Sequence, residues 1–288
     1  MTKKGKQLLP QKNSKELCII LLCAGEGKRL GDISKNTPKR LITIPKLGQK
    51  TILEHTLNQL LKLGLQHFLV VTGHLNEKVE DFIQTLKKTN QKFQSGLHII
   101  DSEDKYKKGP LYSFLSIQKK RKFVHDNHFL YIVIPGDTVF SDKILDEIVD
   151  WIAQHDDLVE EHPSLFYRKV GLESFNRLYS KTEQKMKKIS VLETKEGPDP
   201  QSLKRIKKIT LSELSSSTEI NQIIPVIALS YSSVNLINDM SKEGDFKTLT
   251  EVLNYCAEEG ISIFCCEMET KTLFYDIDTT WELENLEP

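Results

Sequence analysis

The chain lacks an excess of charge of either sign. It has 40 Lys and Arg against 40 Asp and Glu over 288 residues, a formal net charge of zero. A dedicated nucleic-acid binder shows a basic surplus, so that class is disfavoured. Cysteine is sparse and unpatterned: Cys18, Cys23, Cys256, Cys265 and Cys266 are odd in number and form no CxxC. Such a set predicts reduced thiols in a cytoplasmic protein rather than a disulfide scaffold. No apolar run approaches the roughly 18 residues needed to span a membrane. Internal repeats and low-complexity segments are also missing. The composition, 39% hydrophobic and 28% charged, is that of an ordinary globular protein with enough chain for a full core.

Lysines at 3, 4, 6, 12 and 15 precede the short apolar run LCIILLCA. This imitates a secretory signal. The run is short, charged GEGKR follows it, and Leu22 rather than a small residue precedes Cys23, so it reads as a buried first strand. Residues 1–14 read as a basic flexible tail. Further apolar runs predict strands at Phe68–Thr72, Leu97–Ile100, Phe129–Ile134, Ile223–Ser230, Ile261–Met268 and Leu273–Ile277. Helical spacing predicts Thr51–Leu63, Asn76–Thr89, Pro110–Lys119 and Ser141–Ala153, and Thr248-x-x-Glu251 is a capping box opening another helix. The alternation predicts an α/β fold of three layers, α/β/α, around a mostly parallel central sheet. Residues 15–288 are expected to form one domain of two halves, 15–156 and 157–288. The stretch 157–220 is less regular. It holds KKISVLETKEG, a hairpin or edge strand, and a cluster Lys204, Arg205, Lys207 and Lys208 read as a solvated face.

The most informative string is LCAGEGKRLG, directly after the first strand. Gly25 and Gly27 allow a tight turn and close ligand approach, and backbone N–H groups in such a loop attract phosphate. It is neither a P-loop, which needs G-x-x-x-x-G-K-[ST], nor a dinucleotide fingerprint, whose third glycine would stand where Leu30 does. What stands instead is A-G-x-G-x-R-L-G followed by Thr37-Pro38-Lys39-Arg40-Leu41. Arg29 and Lys39 thus flank one glycine loop, which suits a triphosphate.

This pattern resembles the nucleotidyltransferases of the GT-A type. These include sugar-1-phosphate nucleotidyltransferases, phosphocholine and inositol-1-phosphate cytidylyltransferases, and molybdenum-cofactor guanylyltransferases. The resemblance runs from about Cys18 to Glu284 and is weakest over 157–220. It implies a Rossmann-like GT-A fold and Mg²⁺-dependent transfer of a nucleoside monophosphate to a phosphomonoester, a sugar-1-phosphate or an alcohol or polyol phosphate, with release of pyrophosphate. It further implies that Leu22, Cys23, Ala24, Gly25, Gly27 and Lys28 bind the nucleotide, and that Arg29 and Lys39 are catalytic.

The carboxylates extend the pattern. Asp137, in IPGDTVF, ends a buried strand, where α/β sheets bind ligands. Asp276 and Asp278, in FYDIDTTWELENL, are spaced to share one face of a strand, where they repel unless a cation intervenes. Hard oxygen ligands suit Mg²⁺. The resemblance implies that Asp137 and Asp278 share the ion, with Asp276 behind them or on a second ion. It places Asp101, Gly109 and Pro110 near base and ribose. GPL is similar to the guanylyltransferases and Tyr112-Ser113 to the inositol-phosphate branch, so CTP and GTP are both favoured.

Phe166, Tyr167 and Arg168 are candidate acceptor contacts, Arg168 otherwise a strand-surface charge. His125-x-x-His128 with Asp126 has a metal-like spacing but no further ligands nearby, and is not read as a zinc site. The expected partners are NTP and a small phosphomonoester, without nucleic acid or membrane, with a homo-oligomer possible. The competing readings are a molybdenum-cofactor-type guanylyltransferase, a glycosyltransferase of the same fold and a non-catalytic nucleotide-sensing subunit.

Overall fold

The computed structural model describes residues 15–120, 128–171, 189–196, 203–212, 219–268 and 274–285. The tail 1–14 and the residues His125 and Asp126 lie outside them.

The apolar run after the tail is β1, Glu16–Leu22. Its alternate side chains go to opposite faces of a sheet. Cys18 and Ile20 enter one core, Ile19, Leu21 and Cys23 the other. A strand covered on both faces must be apolar throughout, which is why the run does not alternate. Truncating Ile20 to alanine would cost about 2–5 kcal/mol at such a site.

β1 pairs in parallel with β4 (His67–Thr72) and with β6 (Phe129–Pro135), and β4 pairs in parallel with β5 (Leu97–Asp101). Two short strands, β2 (Thr43–Ile44) and β3 (Lys50–Thr51), pair with each other, and β7 is Thr138–Phe140. Beyond β6 the sheet continues through β11 (Ile220–Leu229), β8 (Ser164–Val170), β12 (Phe264–Glu267), β10 (Lys204–Ser212) and β9 (Ile189–Lys195). The order is β5-β4-β1-β6-β11-β8-β12-β10-β9.

The sheet is therefore wholly parallel from β5 to β6 and mixed beyond it, where β8 and β12 are again parallel. β11 runs antiparallel to both β6 and β8, and β10 antiparallel to β12 and β9. This departs from the expected mostly parallel sheet. The cause is local: a hairpin-like return from β9 to β10 and the insertion of β11 between β6 and β8 both reverse the chain. β9 also touches β11 through Gln222 and Val191, so the five far strands form a partly closed ring.

Helices cover both faces, which gives three layers. α1 is the short Asp32–Asn36. One core packs α2 (Ile52–Lys62), α3 (Asn76–Thr89), α5 (Asp142–Gln154) and α6 (Asp156–Glu161) against the sheet, with α4 (Pro110–Leu115) on the other face. That second face also carries α7 (Tyr231–Met240) and α8 (Leu249–Glu258). The capping box of Thr248 and Glu251 opens α8 as the sequence predicts. Among the described residues no helix is long and apolar enough to cross a membrane.

β8 and β10 are strands that the sequence pattern does not reveal. Lys207 and Lys208 are exposed on β10 while Ile206 and Ile209 are buried, and Arg205 is half-buried with its guanidinium over the Phe264 ring, so only part of the basic cluster is a solvated face. A last strand, β13 (Phe274–Asp276), pairs with β7, and α9 is Thr280–Asn285.

Candidate active site

The glycine loop leaves the carboxyl end of β1, between β4 and β6. Cys23 N–H donates to Val71 O at 2.7 Å, and Gly136 N–H donates to Leu22 O at 2.9 Å. Gly136 has no room for a side chain: a Cβ there would lie 2.4 Å from Cys23 Sγ. Cys23 is therefore sealed in, and burial pushes its thiol up to about 11, with Arg40 working against the shift. Ala24 O accepts from His74 N–H. Gly27 has φ 68°, in the left-handed region, and a Cβ there would sit 3.1 Å from Lys39 Cβ. The turn that Gly27 permits thus lays the loop directly over Lys39. Lys28 points away and pairs with Glu26.

Lys39 is 4% exposed. Its Nζ donates to Asp137 Oδ2 at 2.7 Å and to Asp278 Oδ1 at 3.0 Å. Burial disfavours the ammonium, but the two carboxylates outweigh it and raise its pKa above the usual 10.5. Arg29 Nη1 donates to Asp278 Oδ2 at 2.7 Å. The Arg29 side chain is 72% exposed, so this pair adds little stability and leaves the guanidinium able to change partner.

The hairpin of β7 and β13 brings the C-terminal carboxylates to Asp137. Asp276 pairs with Thr138 in register, and Ile277 N–H donates to Asp137 O at 3.0 Å. The expected shared strand face of Asp276 and Asp278 is not observed. β13 ends at Asp276, and Asp278 N–H turns back onto Asp276 O at 3.1 Å. Asp276 Oδ1 accepts from Thr138 Oγ1 at 2.6 Å, whereas Asp278 meets Lys39 and Arg29. The tight turn, not strand pleating, sets their directions.

Two supporting residues escape the sequence reading. Glu282 Oε2 accepts from the N–H groups of Asp278 and Thr279, each at 2.7 Å, and Thr279 Oγ1 accepts back from Glu282 N–H. This capping box at α9 fixes the backbone of Asp278, and the spacing Thr279-x-x-Glu282 is its signal. Arg40 is 2% exposed and donates from Nη2 to Gly25 O at 3.0 Å. Its Nε and Nη1 are buried without a hydrogen-bond partner. Nothing in the sequence marks Arg40 as a loop anchor.

The remaining candidates divide. Leu22 and Pro110 line one cavity with Asp276. Asp101 lies in a separate cleft with Gly73 and Tyr106, where its carboxylate accepts from Glu103 N–H at 2.8 Å. Gly109 packs against the backbone of Lys247. Arg168 is not a strand-surface charge. It is 3% exposed, donates from Nε and Nη2 to Gln222 Oε1, and lies 4.8 Å over the Phe274 ring. Phe166 and Tyr167 are core residues, Tyr167 bonding Glu267. His128 pairs with Glu16. Among the described residues no group of three or more His, Cys, Asp or Glu could hold a metal ion.

Two solved structures share the fold. UDP-glucose pyrophosphorylase, in complex with UDP-glucose, aligns over 94% of this chain and 96% of its own, with 15% identity and a TM-score of 0.64. The inositol-1-phosphate CTP transferase from T. maritima aligns over 94% and 93%, with 18% identity and a TM-score of 0.64. At these identities the likeness is one of fold. The bifunctional protein GlmU of Francisella tularensis subsp. novicida is 43% identical over 68 residues, which are 24% of this chain and only 14% of that protein. The model of the MobA-like NTP transferase domain matches residues 19–197, more than half of the sequence. The glycine loop, Lys39 and Asp137 fall inside that match, and the chain belongs to the MobA-like NTP transferase domain family of nucleotidyltransferases.

Proposed function

We propose that the protein transfers a nucleoside monophosphate from an NTP to a small phosphomonoester and releases pyrophosphate. The observation that carries this reading is the quartet Arg29, Lys39, Asp137 and Asp278, drawn from both ends and the middle of the chain to one glycine loop. Such a quartet is balanced in charge, and it runs from the buried Lys39 to the exposed Arg29 at the mouth of the loop.

Loop N–H groups hold the triphosphate. Arg29 and Lys39 exchange carboxylate partners for phosphate oxygens and neutralise the charge that gathers on departing pyrophosphate. An oxygen of the acceptor phosphate attacks the α-phosphorus, and the bond to the bridging oxygen breaks with its electron pair leaving on pyrophosphate. The nucleophile is already an anion, so no proton need be removed. What limits the reaction is the approach of two anions, and positioning with fixed charge answers it.

The donor set fits Mg²⁺: Asp137 and Asp278 converge on one cation, the Lys39 ammonium, and Mg²⁺ takes one or two carboxylates together with substrate phosphates. Asp137 and Asp278 would hold the ion, and it would supply positive charge to the reacting phosphates. Asp276 stands behind this pair through Thr138. CTP and GTP are the favoured donors. The MobA-like family match keeps a GTP-specific cofactor guanylyltransferase as the second reading.

The test is pyrophosphate release with Mg²⁺, crossing CTP, GTP, UTP, ATP and dTTP with hexose-1-phosphates, inositol-1-phosphate, phosphocholine and short alkyl phosphates. One productive pair supports the reading. Nucleotide binding with silence across the whole matrix contradicts it and favours a sensing role.

A further inference from the structure

A cavity of about 270 Å³ opens beside Asp276 and Leu22, on the side of β1 away from β4 and β5. Its volume lies just below the range of ordinary small-molecule sites. It exists because β11 breaks its register. The pairing with β8 shifts between Ile224 and Ile227, across Pro225, which has no N–H for the ladder. Bulges of this kind recur next to functional sites. Val133, Leu165, Ile223, Ile224 and Phe274 contribute apolar wall.

Several polar atoms at the wall are spent on the protein itself. Gln222 Oε1 accepts twice from Arg168. Thr248 and Thr250 share a hydrogen bond at 3.0 Å, and Thr248 Oγ1 also caps α8. Asp276 Oδ1 is taken by Thr138. A ligand rich in hydroxyls would bury donors and acceptors here without partners, which is costly.

Resting on the nucleotidyl-transfer reading, we propose that this cavity receives the body of the acceptor and selects a short alkyl phosphomonoester over a hexose or polyol phosphate. The cavity begins at Leu22, where the glycine loop leaves β1, runs under β6, β11 and β8, and reaches Asp276, two residues before Asp278.

The experiment compares isobutyl phosphate with glucose-1-phosphate and inositol-1-phosphate on the full chain with Mg²⁺ and each NTP. An apolar pocket discriminates against an added hydroxyl by up to on the order of 10²-fold in kcat/KM. The expected kcat/KM for isobutyl phosphate is therefore at least about tenfold the higher of the two. Thr250→Trp, at the half-buried mouth, should raise the KM for isobutyl phosphate about tenfold and leave NTP binding unchanged. Equal or better use of either hydroxylated acceptor overturns the proposal. If no acceptor releases pyrophosphate, titration calorimetry decides. Isobutyl phosphate binding that Thr250→Trp abolishes supports the cavity assignment while contradicting transfer, and absence of binding overturns the cavity assignment.

Discussion

Strands β5, β4, β1 and β6 run parallel in unbroken register, whereas beyond β6 the chain reverses at β11 and shifts register at Ile224–Ile227 and again at Ile206–Lys208. The first region ends in backbone devices: the glycine loop, Gly136 against Cys23, Arg40 on Gly25 O. The second ends in side-chain devices: Arg168 on Gln222, and an apolar cavity beside a bulge. A parallel sheet fixes its loops by pleat and pairing, and suits a ligand part common to all substrates. A bulged antiparallel ring can vary its walls, and suits the part that differs.

That contrast can be broken by substitution. The largest effect is expected at Lys39→Ala, which removes the cation shared by Asp137 and Asp278. kcat should fall on the order of 10²–10³-fold with every acceptor, read by pyrophosphate release. A loss confined to some acceptors would dissolve the division between the two regions.

Arg40→Met comes next. It keeps the buried length of the side chain, removes the hydrogen bond to Gly25 O and removes two unpartnered buried donors. Replacing a buried charge by an apolar side chain is often neutral or stabilising. The denaturation midpoint should hold or rise while the KM for NTP rises several-fold. A fall in both stability and kcat with KM unchanged would refute the loop-anchoring role.

Arg168→Met is the matching change across the sheet. It should raise the acceptor KM several-fold through Gln222 and Phe274 and leave the NTP KM unchanged. The smallest effect concerns the thiols. Burial pushes Cys18 up to about 12 and Cys23 up to about 11, so both stay protonated well above neutral pH. Iodoacetamide at pH 8 should therefore label neither in the native protein, as mass spectrometry would show.

The same contrast explains what the sequence could show. β1, β4 and β6 are legible because strands buried on both faces are continuous apolar runs. β8 is hidden because Arg168 and Lys169 interrupt its run. In the interior Arg168 meets Gln222 and the Phe274 ring, both from strands distant in sequence. β10 is hidden because its lysines mask the buried Ile206 and Ile209. At the site, Arg29, Lys39, Asp137 and Asp278 are legible as types with spacing, and the fold does bring them together. The separation of Asp276 from Asp278 is not legible, because it depends on a turn stabilised by Glu282 and on the β7 hairpin. The anchor role of Arg40 depends on a contact 15 residues back in the chain, to a carbonyl that no pattern marks.

The central claim is that the quartet carries nucleotidyl transfer. Steady-state pyrophosphate release by Asp137→Ala, titrated with Mg²⁺ on the productive NTP and acceptor, tests it most directly. The account predicts a kcat lower on the order of 10²–10³-fold and a weaker response to Mg²⁺. Unchanged turnover with an unchanged Mg²⁺ dependence would contradict it.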